Sequence, residues 1–115
     1  MTNKELYEKL VFLSKIAPSC RGRIGYAVAR NFRKFGEALT EYLNEREKLI
    51  SELGENGCIE PGSPNVCVFH ERMREFDEIK SSPEIFKITD KDLQESDLTA
   101  DVMLGLAFMT EGGEA

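Results

Sequence analysis

The chain has 115 residues, 41% of them apolar and 31% charged, with a formal charge of −6 and three cysteines. That length fits one domain with a real core but falls short of a typical α/β enzyme, and the composition excludes a disordered chain. No apolar run approaches the roughly 18 residues that span a bilayer. The polar start Met1-Thr2-Asn3-Lys4-Glu5 reads as a helix opening rather than a signal peptide. An odd cysteine count without scaffold spacing points to a reducing cytoplasm.

Charge is unevenly laid out. Residues 10–36 hold Lys15, Arg21, Arg23, Arg30, Arg33 and Lys34 and no acid, whereas residues 71–115 hold twelve acids against five bases. Such segregation either holds the chain's own parts together or orients two copies head to tail.

Thr2 with Glu5 is a capping-box pattern that opens a first helix. Leu6, Leu10, Leu13 and Ala17 form its apolar stripe, and Pro18 ends it. Ser19 is the expected cap of a second helix that runs to Leu53, where Gly54 closes it. Through that helix Val28, Phe32, Phe35, Leu39, Tyr42, Arg46, Leu49 and Leu53 alternate steps of four and three, which is a heptad seam. One helix of this extent would span roughly 50 Å, against about 35 Å for a compact body of this length. Its far half therefore needs a cover, either the C-terminal helix or another subunit. Ala29 and Gly36 flank the seam and would admit a close neighbour. Arg46, the charged member, is read with its stem along the seam and its head in solvent, over a role in setting register.

Residues 54–65 read as a loop with a short strand at Cys58–Glu60. Val66–Phe69 opens as a strand, then Phe69, Met73, Phe76 and Ile79 mark a helix that stops at Ser81-Ser82-Pro83. Glu84–Ile88 alternates like a strand, Thr89-Asp90 turns, and Ser96 or Thr99 caps a last helix through Met109. That helix is apolar nearly all round, so it is expected to be buried and to cover the far seam. Residues 112–115 read as a frayed tail. The fold class that results is α+β, mostly α: a helical hairpin with a long second arm, a small β element and C-terminal helices, in one domain divided into 1–54 and 55–115.

Chemistry is sparse. Cys58, Cys67 and His70 are the nearest thing to a metal set, but Cys20 is distant and zinc prefers paired ligands; free cysteines buried as small hydrophobes and a solvent-facing histidine are the plainer reading. Cys67 and His70 share a helical face without a third orienting residue, which is too little for nucleophilic catalysis. No phosphate loop is present, since no strand precedes Arg21-Gly22-Arg23-Ile24-Gly25. We expect no catalytic residue, no cofactor and no metal. Arg21, Arg23, Arg30, Arg33 and Lys34 form an anion patch whose aromatic neighbours Phe32 and Phe35 are assigned to the seam, so a carboxylate surface is favoured over nucleic acid.

Leu10-Val11-Phe12-Leu13, Arg21-Gly22-Arg23 and Glu45-Arg46-Glu47-Lys48-Leu49-Ile50 before Gly54, followed by Phe69–Phe76 and Phe86-Lys87-Ile88-Thr89, together resemble a family of small tailed-phage and prophage proteins of unknown function. The resemblance implies a phage context in a bacterial cytoplasm and no activity. The expected function is a non-enzymatic interaction or assembly protein that works through helix–helix contacts with itself or another protein. Leu39, Tyr42, Leu43, Arg46, Leu49, Ile50 and Leu53 are the expected contact surface. Alternatives are a nucleic-acid accessory factor using the basic patch, and an acidic DNA mimic that blocks a host nuclease through the 71–115 carboxylates.

Overall fold

The structure, a computed structural model, describes residues 1–55 and 57–110; the expected tail at 112–115 lies outside them. The protein is mostly helical. In chain order the elements are α1 (Asn3–Ile16), a 3-10 turn (Ala17–Ser19), α2 (Gly22–Ala38), α3 (Thr40–Leu53), α4 (Pro64–Asp77), α5 (Asp90–Gln94), α6 (Ala100–Gly105) and a second 3-10 turn (Ala107–Met109). Packing divides the chain into two compact units: Met1–Tyr7 with Ala38–Ser82, and Glu8–Glu37 with Pro83 onward.

Helix α1 begins as its sequence dictates. The Thr2 N–H donates to Glu5 Oε1 at 2.9 Å and the Glu5 N–H donates back to Thr2 Oγ1 at 3.2 Å, so two N-terminal donors are satisfied reciprocally. Leu6, Leu10 and Leu13 are buried, and Ile16 rather than Ala17 completes the stripe. Ala17 falls in the 3-10 turn that Pro18 imposes.

The single long helix expected from the heptad pattern is broken. Leu39 has φ −97° and ψ 9°, outside helical geometry, and separates α2 from α3. The two pieces have 17 and 14 residues, about 26 and 21 Å long, each shorter than the expected body. Gly36 and Thr40 flank the break, and both are weak helix formers. An added Cβ at Gly36 would meet nothing within 4 Å, so its smallness serves no close approach by a neighbouring helix. Helix α2 starts at Gly22 and not after Ser19; the first helical bond runs from the Gly25 N–H to the Arg21 carbonyl at 3.1 Å.

In the first unit α3 packs on α4. Ser63 caps α4 by accepting from the Asn65 N–H at 3.2 Å, with Pro64 in the first turn. That start makes Val66–Phe69 helical, not a strand. Asn65 Nδ2 donates to the Leu53 carbonyl at 2.8 Å, which satisfies one of the open carbonyls that end α3. Between them the Glu55 and Cys58 backbones exchange hydrogen bonds of 2.9 and 3.1 Å. A Cβ on Gly54 would lie 2.3 Å from the Cys58 carbonyl oxygen, so only glycine permits this return of the chain.

In the second unit the expected strand at Glu84–Ile88 does not form among the described residues. Among the described residues there are three isolated bridges and no strand. Over Glu84–Ile88 the expected alternation of burial is not seen, since Glu84 and Lys87 are exposed, Ile85 and Phe86 half-buried and Ile88 buried; the Ile88 N–H donates to the Met109 carbonyl at 2.9 Å, and at Phe86 the hydrogen-bond partner is a side chain. Asn31 Nδ2 donates to the Phe86 carbonyl at 3.0 Å, and Asn31 Oδ1 accepts from the Phe86 N–H at 2.7 Å. The buried amide thus takes the place of a neighbouring strand at Phe86, while Ile88 is bridged to Thr110. Thr89 then caps α5 through a reciprocal box with Asp92, and Thr99 caps α6. The last helical segment is only partly buried: Leu106 and Met109 are enclosed, while Leu104 is 75% exposed. Gly105 receives the Phe12 ring, whose Cζ would stand 2.1 Å from an added Cβ.

Candidate functional site

The expected contact surface on α3 is mostly occupied by its own unit. Leu39, Tyr42 and Leu49 are buried, and Leu43, Arg46, Ile50 and Leu53 are half-buried. Within this unit α4 covers α3; the C-terminal helix, expected in that role, belongs to the other unit. The Tyr42 hydroxyl donates to Asp77 Oδ1 at 2.5 Å. Burial, reinforced by that bond, pushes the Tyr42 phenol well above its ordinary range. Arg46 follows neither expected course. Its guanidinium lies 5.0 Å from the Tyr7 ring centre and 5.5 Å from that of Phe69, a cation held between two aromatic faces.

The arrangement left open to solvent is on α2. Ile24, Val28, Asn31 and Phe35 form its buried stripe, which rotates the helix so that Phe32, a member of the expected seam, is 42% exposed. On the far side Arg23, Tyr26, Arg30 and Arg33 recur at steps of three, four and three, one stripe along the helix. Tyr26 is 57% exposed. Its ring meets Phe86 edge to face, with centroids 5.3 Å apart and planes at 72°. The Arg23 and Arg30 guanidiniums lie 5.2 and 5.7 Å from the same Phe86 ring. Phe86 is therefore the hub of a cation–aromatic cluster, and the Asn31 amide holds its backbone from beneath.

The basic residues are not equivalent. Arg23 Nε pairs with Asp92 Oδ2 at 3.1 Å. The Thr89 backbone N–H, followed by the Thr89 hydroxyl and Arg23, holds the Asp92 carboxyl below its usual range against partial desolvation. Arg21 lines a concavity with Glu95 and Asp97. Lys34 reaches Glu37 at 4.0 Å. No carboxylate pairs with Arg30 or Arg33 among the described residues. The N-terminal end of the patch is thus answered by the unit's own acids, while its middle faces outward.

Such a surface has the composition of a contact hot spot: rigid aromatics with arginines whose planar heads bind carboxylates in pairs. It offers no nucleophile. Cys58, Cys67 and His70 are exposed, His70 stacks edge-on against Phe69, and Cys20 is half-buried with its thiol pushed up by burial. Among the described residues no three His, Cys, Asp or Glu side chains gather where a metal ion could be held. No helix among them is long and apolar enough to cross a membrane. Comparison with family models, curated proteins and solved structures gives no match.

Proposed function

We propose that this chain is a non-enzymatic interaction protein that binds a carboxylate-bearing protein surface through the outer stripe of α2. The observation that carries the reading is the exposed Tyr26 ring beside Arg30 and Arg33, two cations without an acidic partner among the described residues. Aromatic and arginine side chains dominate the energetics of protein contacts because they combine large buried area with directional bonding. The phage or prophage setting implied by the resemblance, and a cytoplasmic location, belong to the same proposal. Nucleic acid is less favoured because Asp92 sits 3.1 Å from Arg23, and Glu95 and Asp97 line the concavity beside Arg21, so a phosphate backbone would meet acids at that end.

Calorimetric titration with poly-L-glutamate and with a short DNA duplex, at low and moderate salt, tests the choice. Poly-L-glutamate is expected to bind at low salt and to weaken about tenfold in R30E/R33E, since each exposed charge contact contributes of order 0.2–1 kcal/mol and reversal doubles the effect. Tighter binding of the duplex would replace this reading with the nucleic-acid one. Absence of binding to either polymer would overturn it.

A further inference from the structure

The geometry points to a second copy of this chain as the partner, docked head to tail, with the outer stripe of α2 in one copy seated in the groove between α3 and α4 of the next. This deepens the reading above and rests on it. The groove is open, about 480 Å³, and is lined by Leu49 and Phe76 with Glu71, Glu75 and Glu78, and also by the cations Arg72 and Arg74. No cation pairs with those three glutamates among the described residues, whereas the neighbouring Arg72 is engaged by Glu52 at 3.3 Å. Apolar side chains among carboxylates that outnumber the cations four to two are the complement of an aromatic ring flanked by arginines.

Charge is segregated on the same lines. The unit built from Met1–Tyr7 and Ala38–Ser82 holds eleven acids and six bases, a net of −5. The segment Glu8–Glu37, which contains α2, holds seven bases and two acids, a net of +5, while Pro83–Ala115 of the same unit holds eight acids and two bases, so the basic surface is local to that segment. Two different patches that complement each other make a heterologous contact, one that closes into a ring or propagates according to the rotation between copies. Tyr26 then meets the apolar side chains while Arg30 and Arg33 meet the glutamates. Burying the ring supplies affinity and the charges set orientation.

Sedimentation velocity over a wide concentration range tests the arrangement. The wild-type mass is expected to grow with concentration at low salt and to fall toward monomer as salt screens the contact. R30E/R33E and E71K/E75K, each checked by circular dichroism for wild-type helicity, are each expected to remain monomeric. Mixed, they are expected to form a one-to-one dimer and nothing larger, because each variant retains one intact face. A wild type that stays monomeric at every concentration overturns the second-copy inference; if poly-L-glutamate still binds, the α2 reading stands without it. A wild type that assembles while the mixed variants do not dimerise, or either variant assembling alone, also overturns it, since the contact then lies elsewhere.

Discussion

Asn31 is the most consequential buried polar residue in the chain, and its replacement yields a worked magnitude. It is fully enclosed, and its amide binds both the N–H and the carbonyl of Phe86, at 2.7 and 3.0 Å, and the Met109 sulfur at 3.4 Å. Asn31→Ala strands two backbone groups. An unsatisfied buried group costs about 1–3 kcal/mol; Phe86 is half-buried, which places each near the lower end, about 1 kcal/mol. The void left by the amide adds about 1 kcal/mol more. The sum of about 3 kcal/mol is a large share of the 5–15 kcal/mol typical of a folded domain and corresponds to a fall of roughly 10 °C in Tm for a chain of this size. Urea unfolding followed by circular dichroism measures it. Asn31→Leu separates the causes, because leucine keeps the volume and removes the hydrogen bonds. Its loss is expected to approach that of alanine; a leucine variant as stable as wild type would refute the idea that the amide stands in for a strand.

Two further perturbations probe the packing of the second unit. Gly105→Ala brings a Cβ to 2.1 Å from the Phe12 ring and is expected to cost about 1–3 kcal/mol, relieved when Phe12→Leu is added. Gly36→Ala, with nothing within 4 Å, is expected instead to stabilise by up to about 1 kcal/mol; equal costs at both sites would contradict the assigned packing. Tyr42 is held in its neutral form by burial and its bond to Asp77, so its contribution is complete below the unfolded phenol's value of 10.0 and is lost as pH rises beyond it. Tyr42→Phe is expected to cost about 1 kcal/mol near neutrality through the lost hydrogen bond and to flatten the alkaline fall in stability. Parallel curves for the two proteins above pH 10 would show that Tyr42 is not the group responsible.

What the sequence disclosed was local. The Thr2–Glu5 box, the Leu6–Leu10–Leu13 stripe and the Thr99 cap are written in residues three or four apart, and the structure holds all three. The errors came from tertiary terms. A heptad rhythm continues through Leu39 whether or not the helix does, because periodicity records which side chains are apolar and not whether the backbone between them stays helical. Val66–Phe69 read as a strand from β-branched composition, but Ser63 and Pro64 had already started a helix. Phe32 and Asn31 exchanged places for a related reason. Asn31, which lay outside the heptad seam, is buried because Phe86, fifty-five positions later, supplies partners for both ends of its amide. The outer stripe Arg23, Tyr26, Arg30 and Arg33 was legible at the same spacing as the seam, but an aromatic at helical spacing is ordinarily core, and it is the rotation set by burial of Ile24, Val28, Asn31 and Phe35 that turns Tyr26 outward.

That rotation links the core to the surface that we propose as functional. A hydrogen-bonded pair locks the Phe86 backbone to α2, and the Phe86 ring is the element against which Tyr26, Arg23 and Arg30 are all arranged. Long arginine side chains lose about 2 kcal/mol of rotamer freedom each when immobilised, so a surface that presents them already set against a ring binds at a smaller entropic cost than free arginines would. The ring itself is fixed only because its main chain is bonded to a residue inside the helix. A polar group at the centre of an apolar stripe, which a stability argument alone would replace with leucine, therefore serves to hold the contact surface in the one geometry in which its charges and its aromatic face point the same way.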